Sequence, residues 1–301
     1  MLCTFSRNFP KKVEGFLEKE RKLSRRFREE TVTDLLVGGI LGVCGRNVIV
    51  DFSDEVNTGA DLELVYYDIA TNLHFRLVIQ AKRSFGRGKY WKRHSVRELF
   101  HRTKGTKRLQ SDVLIKCAST SAGSTYPYYL IYNTKHTCEL ARKAGAHQLQ
   151  GVNVVDGYFM NSRVKRAAKL SRPSKMKSLK ELHLQFFPLS TLLCFGLRVR
   201  GIIGRAMALS VGSTDSIEQS IIVSSIPTPT DILNVVRKCR ENTIESLAQT
   251  EIEKKEVESS IPMPKLSAQL PPHIRSLIDG EPVGEKDAGT SVIFISDSSL
   301  R

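Results

Sequence analysis

The stretch TGADLELVYYDIATNLHFRLVIQAKR, residues 58–83, constrains this chain more than any other. Apolar and β-branched residues run through two blocks of it and Thr71-Asn72 interrupts them, which predicts two β-strands joined by a turn. Strand side chains alternate between faces, so Asp61 and Glu63 share one face of the first strand, and Gln80 and Lys82 share one face of the second. Such a hairpin brings two carboxylates, a carboxamide and an ammonium towards one another. Taken singly, each has an ordinary explanation: Asp61 as a turn residue after Thr-Gly-Ala, and Gln80 and Lys82 as the polar face of an edge strand.

The segments around the hairpin predict an α/β fold. Residues 11–27 are charged and helix-compatible. REETVTDLLVGGILGV has an acidic first turn and an apolar face suited to packing on a sheet. NVIVDF, YPYYLIYN and GVNVVDGYF read as strands, and KRLQSDVLIKCAST and TCELARKAGA as helices. The resulting order is helix, three strands, helix, strand, helix, strand, a mixed sheet with helices packed on it.

Charge divides the chain. Residues 1–205 carry 37 Lys and Arg against 17 Asp and Glu, whereas residues 206–301 carry 9 against 14. The second part is rich in Pro and Ser (VSSIPTPTD, IPMPKLSAQLPP, SDSSLR), and composition predicts a mostly disordered tail with one helix within ILNVVRKCRENTIESLAQTEIEKKEVE. A net charge of +15 favours a polyanionic partner, nucleic acid ahead of a membrane surface. The basic residues cluster. Residues 81–116 hold twelve Lys or Arg against two acids, with Phe85, Tyr90, Trp91 and Phe100 interleaved, and residues 160–205 hold eleven against one. Cations release counterions from a phosphate backbone and aromatic rings stack on unpaired bases, so Arg83, Lys89, Lys92, Arg93, Arg97 and Lys104 are candidate nucleic-acid contacts; the aromatics equally suit an ordinary core.

Six scattered cysteines, with no C-x-x-C pair and no zinc-ligand spacing, point to a reducing compartment. No apolar run spans a bilayer and the first residues lack a signal-peptide core, so the expected location is the cytoplasm. The glycines at 86 and 88 are too sparse for a phosphate loop, and no histidine is spaced with a Ser or Cys for covalent catalysis.

FREETVTDLL, TGADLEL, QAKR, LQSDVLI and YPYYLIYN, in that order, resemble a little-characterised prokaryotic family of predicted nucleases within the PD-(D/E)xK, or restriction-endonuclease-like, superfamily. The pairing of GAD with QAKR is most similar to its Mrr-like branch, in which Gln replaces the second acid. The resemblance covers residues 1–205 and implies a restriction-endonuclease-like mixed sheet flanked by helices, followed by the tail. It implies a Mg²⁺- or Mn²⁺-dependent nuclease, acting on DNA ahead of RNA, with a place in prokaryotic defence and a homodimer where both strands are cut. It casts Asp61, Gln80, the Ala81 carbonyl and Glu30 as metal ligands and Lys82 as the catalytic lysine, although Glu29 and Asp34 compete closely with Glu30; Glu63, on the strand face of Asp61, either makes up for the neutral Gln80, faces solvent or pairs with a nearby cation. Gln110 would turn towards the site, or towards the substrate as a further nucleic-acid contact, from the helix after Lys82, unless that helix is simply amphipathic. The other reading is a catalytically weak member that binds nucleic acid through its basic face.

Overall fold

The computed structural model describes residues 1–20, 23, 27–54, 59–86, 88–103, 107–121, 123–170, 176–195, 226–280 and 288–300. Helices α1 (Leu2–Glu20) and α2 (Glu29–Cys44) precede strands β1 (Val48–Asp54), β2 (Leu62–Asp68), β3 (Leu73–Phe85) and the short β4 (Ser95–Val96). Then come α3 (Gln110–Thr120), β5 (Thr125–Tyr132), α4 (Lys135–Lys143), β6 (Val152–Asp156), α5 (Gly157–Ala167), α6 (Leu179–Leu182), β7 (Phe187–Pro188) and α7 (Ser190–Leu193). The remaining elements are α8 (Pro229–Leu247), α9 (Glu251–Ser260), α10 (Pro272–Ile278) and β8 (Ala288–Ser296).

The strands form one mixed sheet in the order β1-β8-β2-β3-β5-β6-β7, with β4 paired to β3. β2 and β3 are antiparallel, as the turn at Thr71-Asn72 requires, while β3 and β5 run parallel with α3 as the crossover between them. Both faces are covered, and this explains why β5 and β6 are buried at every position. On one face Leu62, Leu64, Leu77, Ile79, Tyr128 and Leu130 pack against α1, α2, α7 and α8. On the other, Val78, Tyr129, Ile131 and Val155 pack beneath α3, α4, α5 and α6. The mixed α/β architecture expected from the sequence is the one observed.

Two boundaries differ from the sequence reading. The first helix begins at Leu2, earlier than expected, because Leu2, Phe9, Val13 and Leu17 make one buried face. GVNVVDGYF does not run on as a strand: the chain turns at Asp156, whose Oδ1 accepts from the N–H groups of Tyr158 (2.8 Å) and Phe159 (3.0 Å) and caps α5.

The largest correction concerns the expected tail. Residues 226–280 supply three helices, and β8 lies inside the sheet, antiparallel to β1 and parallel to β2. Val292, Ile293 and Phe294 are fully buried, and Phe294 stacks on Tyr66 with centroids 5.0 Å apart. Composition misled because TPTD is a helix start: Thr228 and Asp231 form a capping box around Pro229 at the first helical position. Residues 196–225, which include the end of the basic part and the expected start of the tail at residue 206, lie outside the described residues.

Cys44, Cys117, Cys138 and Cys239 are free thiols, but Cys3 and Cys194 form a disulfide that joins α1 to the end of α7, which departs from the reading of six reduced cysteines. Among the described residues, no helix is long and apolar enough to cross a membrane.

Candidate active site

The β2–β3 ladder places Leu62 opposite Ile79, so the next pair along is Asp61 and Gln80. Asp61 is fixed by its backbone on two sides: its N–H donates to Ile79 O (2.9 Å) on β3, and its C=O accepts from Thr290 N–H (3.2 Å) on β8. Gly59, at φ +67, makes the preceding turn, and a Cβ there would come within 3.1 Å of Val113 on α3. Glycine at this position lets the chain bend tightly under α3 and deliver Asp61 to the sheet.

Beyond Asp61 the β2 side of β3 has no strand partner until β4. The gap is filled by the Asp61 side chain, whose Oδ2 accepts from Ala81 N–H at 2.6 Å and from the Gln80 carboxamide. A strand residue's N–H and C=O leave on the same side, so the Ala81 carbonyl also faces this gap. Gln80 is 1% exposed, and with its Nε2 turned to Asp61 its Oε1 is buried without a hydrogen-bond partner. A buried acceptor left unsatisfied is costly.

Lys82 follows on the same face, buried, and its Nζ donates to Gln110 Oε1 at 3.0 Å. Gln110 opens α3, and its own N–H donates to His101 O (3.1 Å). Gln110 therefore does face the lysine, as one of its two sequence readings anticipated.

The acid that reaches this group from α2 is Glu29, where the sequence pointed to Glu30. Glu29 Oε1 accepts from Arg83 N–H (3.1 Å), whereas Glu30 is exposed. Burial pushes the Glu29 carboxyl above its ordinary value, and the Lys82 ammonium and the Arg83 N–H only partly offset this. Helix phase carried the signal: Thr33, Leu36 and Ile40 are buried, and Glu29 lies on their stripe while Glu30 is turned about 100° away.

Glu63 shares the sheet face with Asp61 but belongs to a different network. Arg76 takes one carboxylate oxygen, and Ser291 (2.8 Å) and His273 (3.7 Å) take the other. Burial alone would raise its pKa, yet Arg76 above all, with His273 and Ser291, brings it down to about 2. Both oxygens are occupied, so Glu63 does not supplement Gln80.

Among the described residues no cluster of three or more His, Cys, Asp or Glu side chains is placed to hold a metal. The donors that do converge are hard oxygens of other kinds: the Asp61 carboxylate, the orphaned Gln80 Oε1 and the Ala81 carbonyl. They fit a small hard cation that keeps several waters, because such a cation takes oxygen ligands and Gln80 Oε1 has no hydrogen-bond partner within the protein.

The candidate nucleic-acid contacts separate into groups. Arg83 is engaged inside the fold, paired with Glu20 (2.6 Å) and bonded to Phe27 O (2.6 Å), and this is a correction of its expected role at the surface. Lys89, Lys92 and Arg93 are exposed, and Arg93 lies 5.1 Å from the Tyr90 ring centroid. Arg97 is exposed and pairs with Glu98 (3.1 Å); Lys104 lies outside the described residues. Of the aromatics, Trp91 and Phe100 pack against the core, while Phe85 and Tyr90 are exposed. Beside the catalytic candidates a cleft of about 850 Å³ opens, lined by Glu29, Glu30, Arg83, Ser84, Phe85 and Glu98 among others.

Fold and site together define an α/β protein with a partly buried polar group where β2 begins and β3 runs on past it. The chain belongs to a family of unknown function (DUF6615), which matches residues 2–301. The match runs through the acidic C-terminal part as well as the basic one. A comparison with curated proteins gives no match.

Proposed function

We propose that this protein is a divalent-metal-dependent nuclease that hydrolyses phosphodiester bonds by water attack, with DNA as the favoured polymer and the cytoplasm as its location. The observation that carries the reading is the register of β2 and β3, which sets Asp61 against Gln80 with Lys82 on the same face. Asp61, Gln80 Oε1 and the Ala81 carbonyl would hold Mg²⁺ or Mn²⁺. When bound, the cation would lower the pKa of a coordinated water and offset charge on the phosphate.

The chain's own residues supply the rest. The Lys82 ammonium is held by a neutral acceptor, Gln110, and so keeps its positive charge available to a phosphate oxygen in the transition state. Glu29, raised by burial and set beside Lys82, is the carboxyl placed to accept or return a proton at this group. Lys89, Lys92, Arg93 and Arg97 would lie along the polymer's phosphates.

The test compares wild type, Asp61→Asn, Gln80→Glu and Lys82→Ala. Calorimetry with Mn²⁺ should show affinity lost in Asp61→Asn, strengthened in Gln80→Glu and retained in Lys82→Ala. DNA, offered both as plasmid and as single strands, should be cut in at least one of these forms by wild type with Mg²⁺, not with EDTA and not by Lys82→Ala. Equal Mn²⁺ affinity in all four proteins would remove the metal site from this hairpin. One observation favours a second reading, a nuclease fold that only binds nucleic acid: Asp61 already accepts two hydrogen bonds from within the site and is its single centrally placed carboxylate. Metal-independent binding with no cleavage of any substrate would select that reading.

A further inference from the structure

The cleft beside the candidate site is not lined as a phosphate channel would be. Four of its lining residues are glutamates, Glu20, Glu29, Glu30 and Glu98, against three arginines, of which Arg83 and Arg97 are each paired with one of the glutamates and Arg28 is exposed. The exposed cations Lys89, Lys92 and Arg93 are not among its lining residues. The same cleft carries two large apolar rings from different parts of the chain. Phe27 comes from the connection between α1 and α2 and is 36% exposed; Phe85, at the end of β3, is 40% exposed. The Phe27 carbonyl is bonded to the Arg83 guanidinium, two residues before Phe85, so the two rings are held to one part of the fold. On its far side Phe27 stacks on Phe16 at 4.7 Å between centroids, which stiffens that wall.

A cleft of about 850 Å³ suits a ligand the size of one or two nucleotides. A duplex, whose major groove alone is about 12 Å wide, does not enter it. Acidic and aromatic lining repels phosphate and accepts the flat, uncharged face of a base, while the neighbouring exposed cations can hold the backbone outside.

We propose that the cleft takes an unpaired nucleobase by stacking on Phe85 and Phe27, and that the substrate is therefore single-stranded nucleic acid, or a duplex with an unpaired end. The proposal rests on the nuclease reading for the identity of the polymer. It assigns a job to the two phenylalanines that the metal-binding residues do not perform. A one-site chain acting on single strands also has no need of a second copy.

The experiment measures binding in EDTA, so cleavage plays no part. A single-stranded oligonucleotide containing 2-aminopurine is compared with its duplex by fluorescence anisotropy, for wild type, Phe85→Ala, Phe85→Tyr and the pair Lys92→Ala/Arg93→Ala. Wild type should prefer the single strand and quench the 2-aminopurine signal. Phe85→Ala should lose about tenfold in affinity and most of the quenching with an unchanged salt slope, and Phe85→Tyr should keep both. Lys92→Ala/Arg93→Ala should instead flatten the salt slope and keep the quenching. Equal affinity for both strand forms, or unaltered quenching in Phe85→Ala, overturns the proposal while leaving the nuclease reading to the Mg²⁺ cleavage assay. Failure to bind either form in EDTA also overturns the proposal, and the nuclease reading falls only if Mg²⁺-dependent cleavage is absent as well.

Discussion

Glu63 and Asp156 are both fully buried carboxylates, and their environments move them in opposite directions. Glu63 is brought down to about 2 because Arg76 overcomes the effect of burial. Asp156 is raised to about 6, because burial outweighs the hydrogen bonds it accepts from Tyr126 (2.7 Å), Tyr158 and Phe159. Glu63 therefore contributes stability that is present above its unfolded value near 4.5 and is lost as pH falls towards 2. Asp156 binds its proton more tightly when folded, so its contribution is fullest below 3.8 and is lost as pH rises through 6. Asp156→Asn keeps an acceptor for the helix cap and should raise stability at pH 8 by up to about 3 kcal/mol, with little effect at pH 4, in urea titrations at the two pH values. Arg76→Met leaves Glu63 buried without its cation and should cost about 3–5 kcal/mol at pH 7. In the candidate site, Gln110→Ala removes the acceptor of Lys82 and should slow cleavage about tenfold without changing affinity for nucleic acid in EDTA, a split that separates positioning from binding.

At the scale of elements, β8 decides what the protein can lose. It pairs along its length with both β1 and β2, and through Thr290 it holds the backbone of Asp61. A protein ending at Arg205, which composition alone suggested would fold, should instead be insoluble or expanded, and one ending at Glu285 should lose Mn²⁺ affinity together with cooperative unfolding, both readable by circular dichroism and calorimetry. The reasons for the misreading are local. SVIFIS is a continuous β-branched and aromatic run of the kind a strand buried on both faces has, but it is short and surrounded by Ser, Asp and Gly, so a composition window dilutes it. The central elements were legible because each satisfied pattern and propensity together. YPYYLIYN is continuous and bounded by turn residues, and the faces of Asp61, Gln80 and Lys82 follow from strand alternation alone. The acid from α2 was misplaced by one residue, although the buried stripe through Thr33, Leu36 and Ile40 favours Glu29. Pairing of Glu63 with a nearby cation was one of its sequence readings, and Arg76 in the same hairpin is that cation; its other partners Ser291 and His273, and Glu20 for Arg83, were not legible because they come from segments distant in sequence.

For the whole molecule, the Cys3–Cys194 disulfide closes a separation of 191 residues, and a cross-link of that span can stabilise by up to about 5 kcal/mol through the unfolded chain. Thiol titration of the denatured, unreduced protein should find four reactive groups and six after reduction, and the reduced protein should melt at lower temperature; six thiols without reductant would show that the pair stays open. The sheet has a consequence in time as well as in space. Glu63 and Ser291 are 228 residues apart in sequence yet hydrogen-bonded neighbours on adjacent strands. At about 5–20 residues per second, a ribosome takes roughly 10–45 s between making one and the other. Throughout that interval β1 and β2 have been made but the strand that joins them has not, and each offers an open edge to other chains. Nascent protein is thus most prone to aggregation during its own synthesis, and Asp61 acquires its second backbone anchor only after β8 has been translated, so the candidate site is completed late.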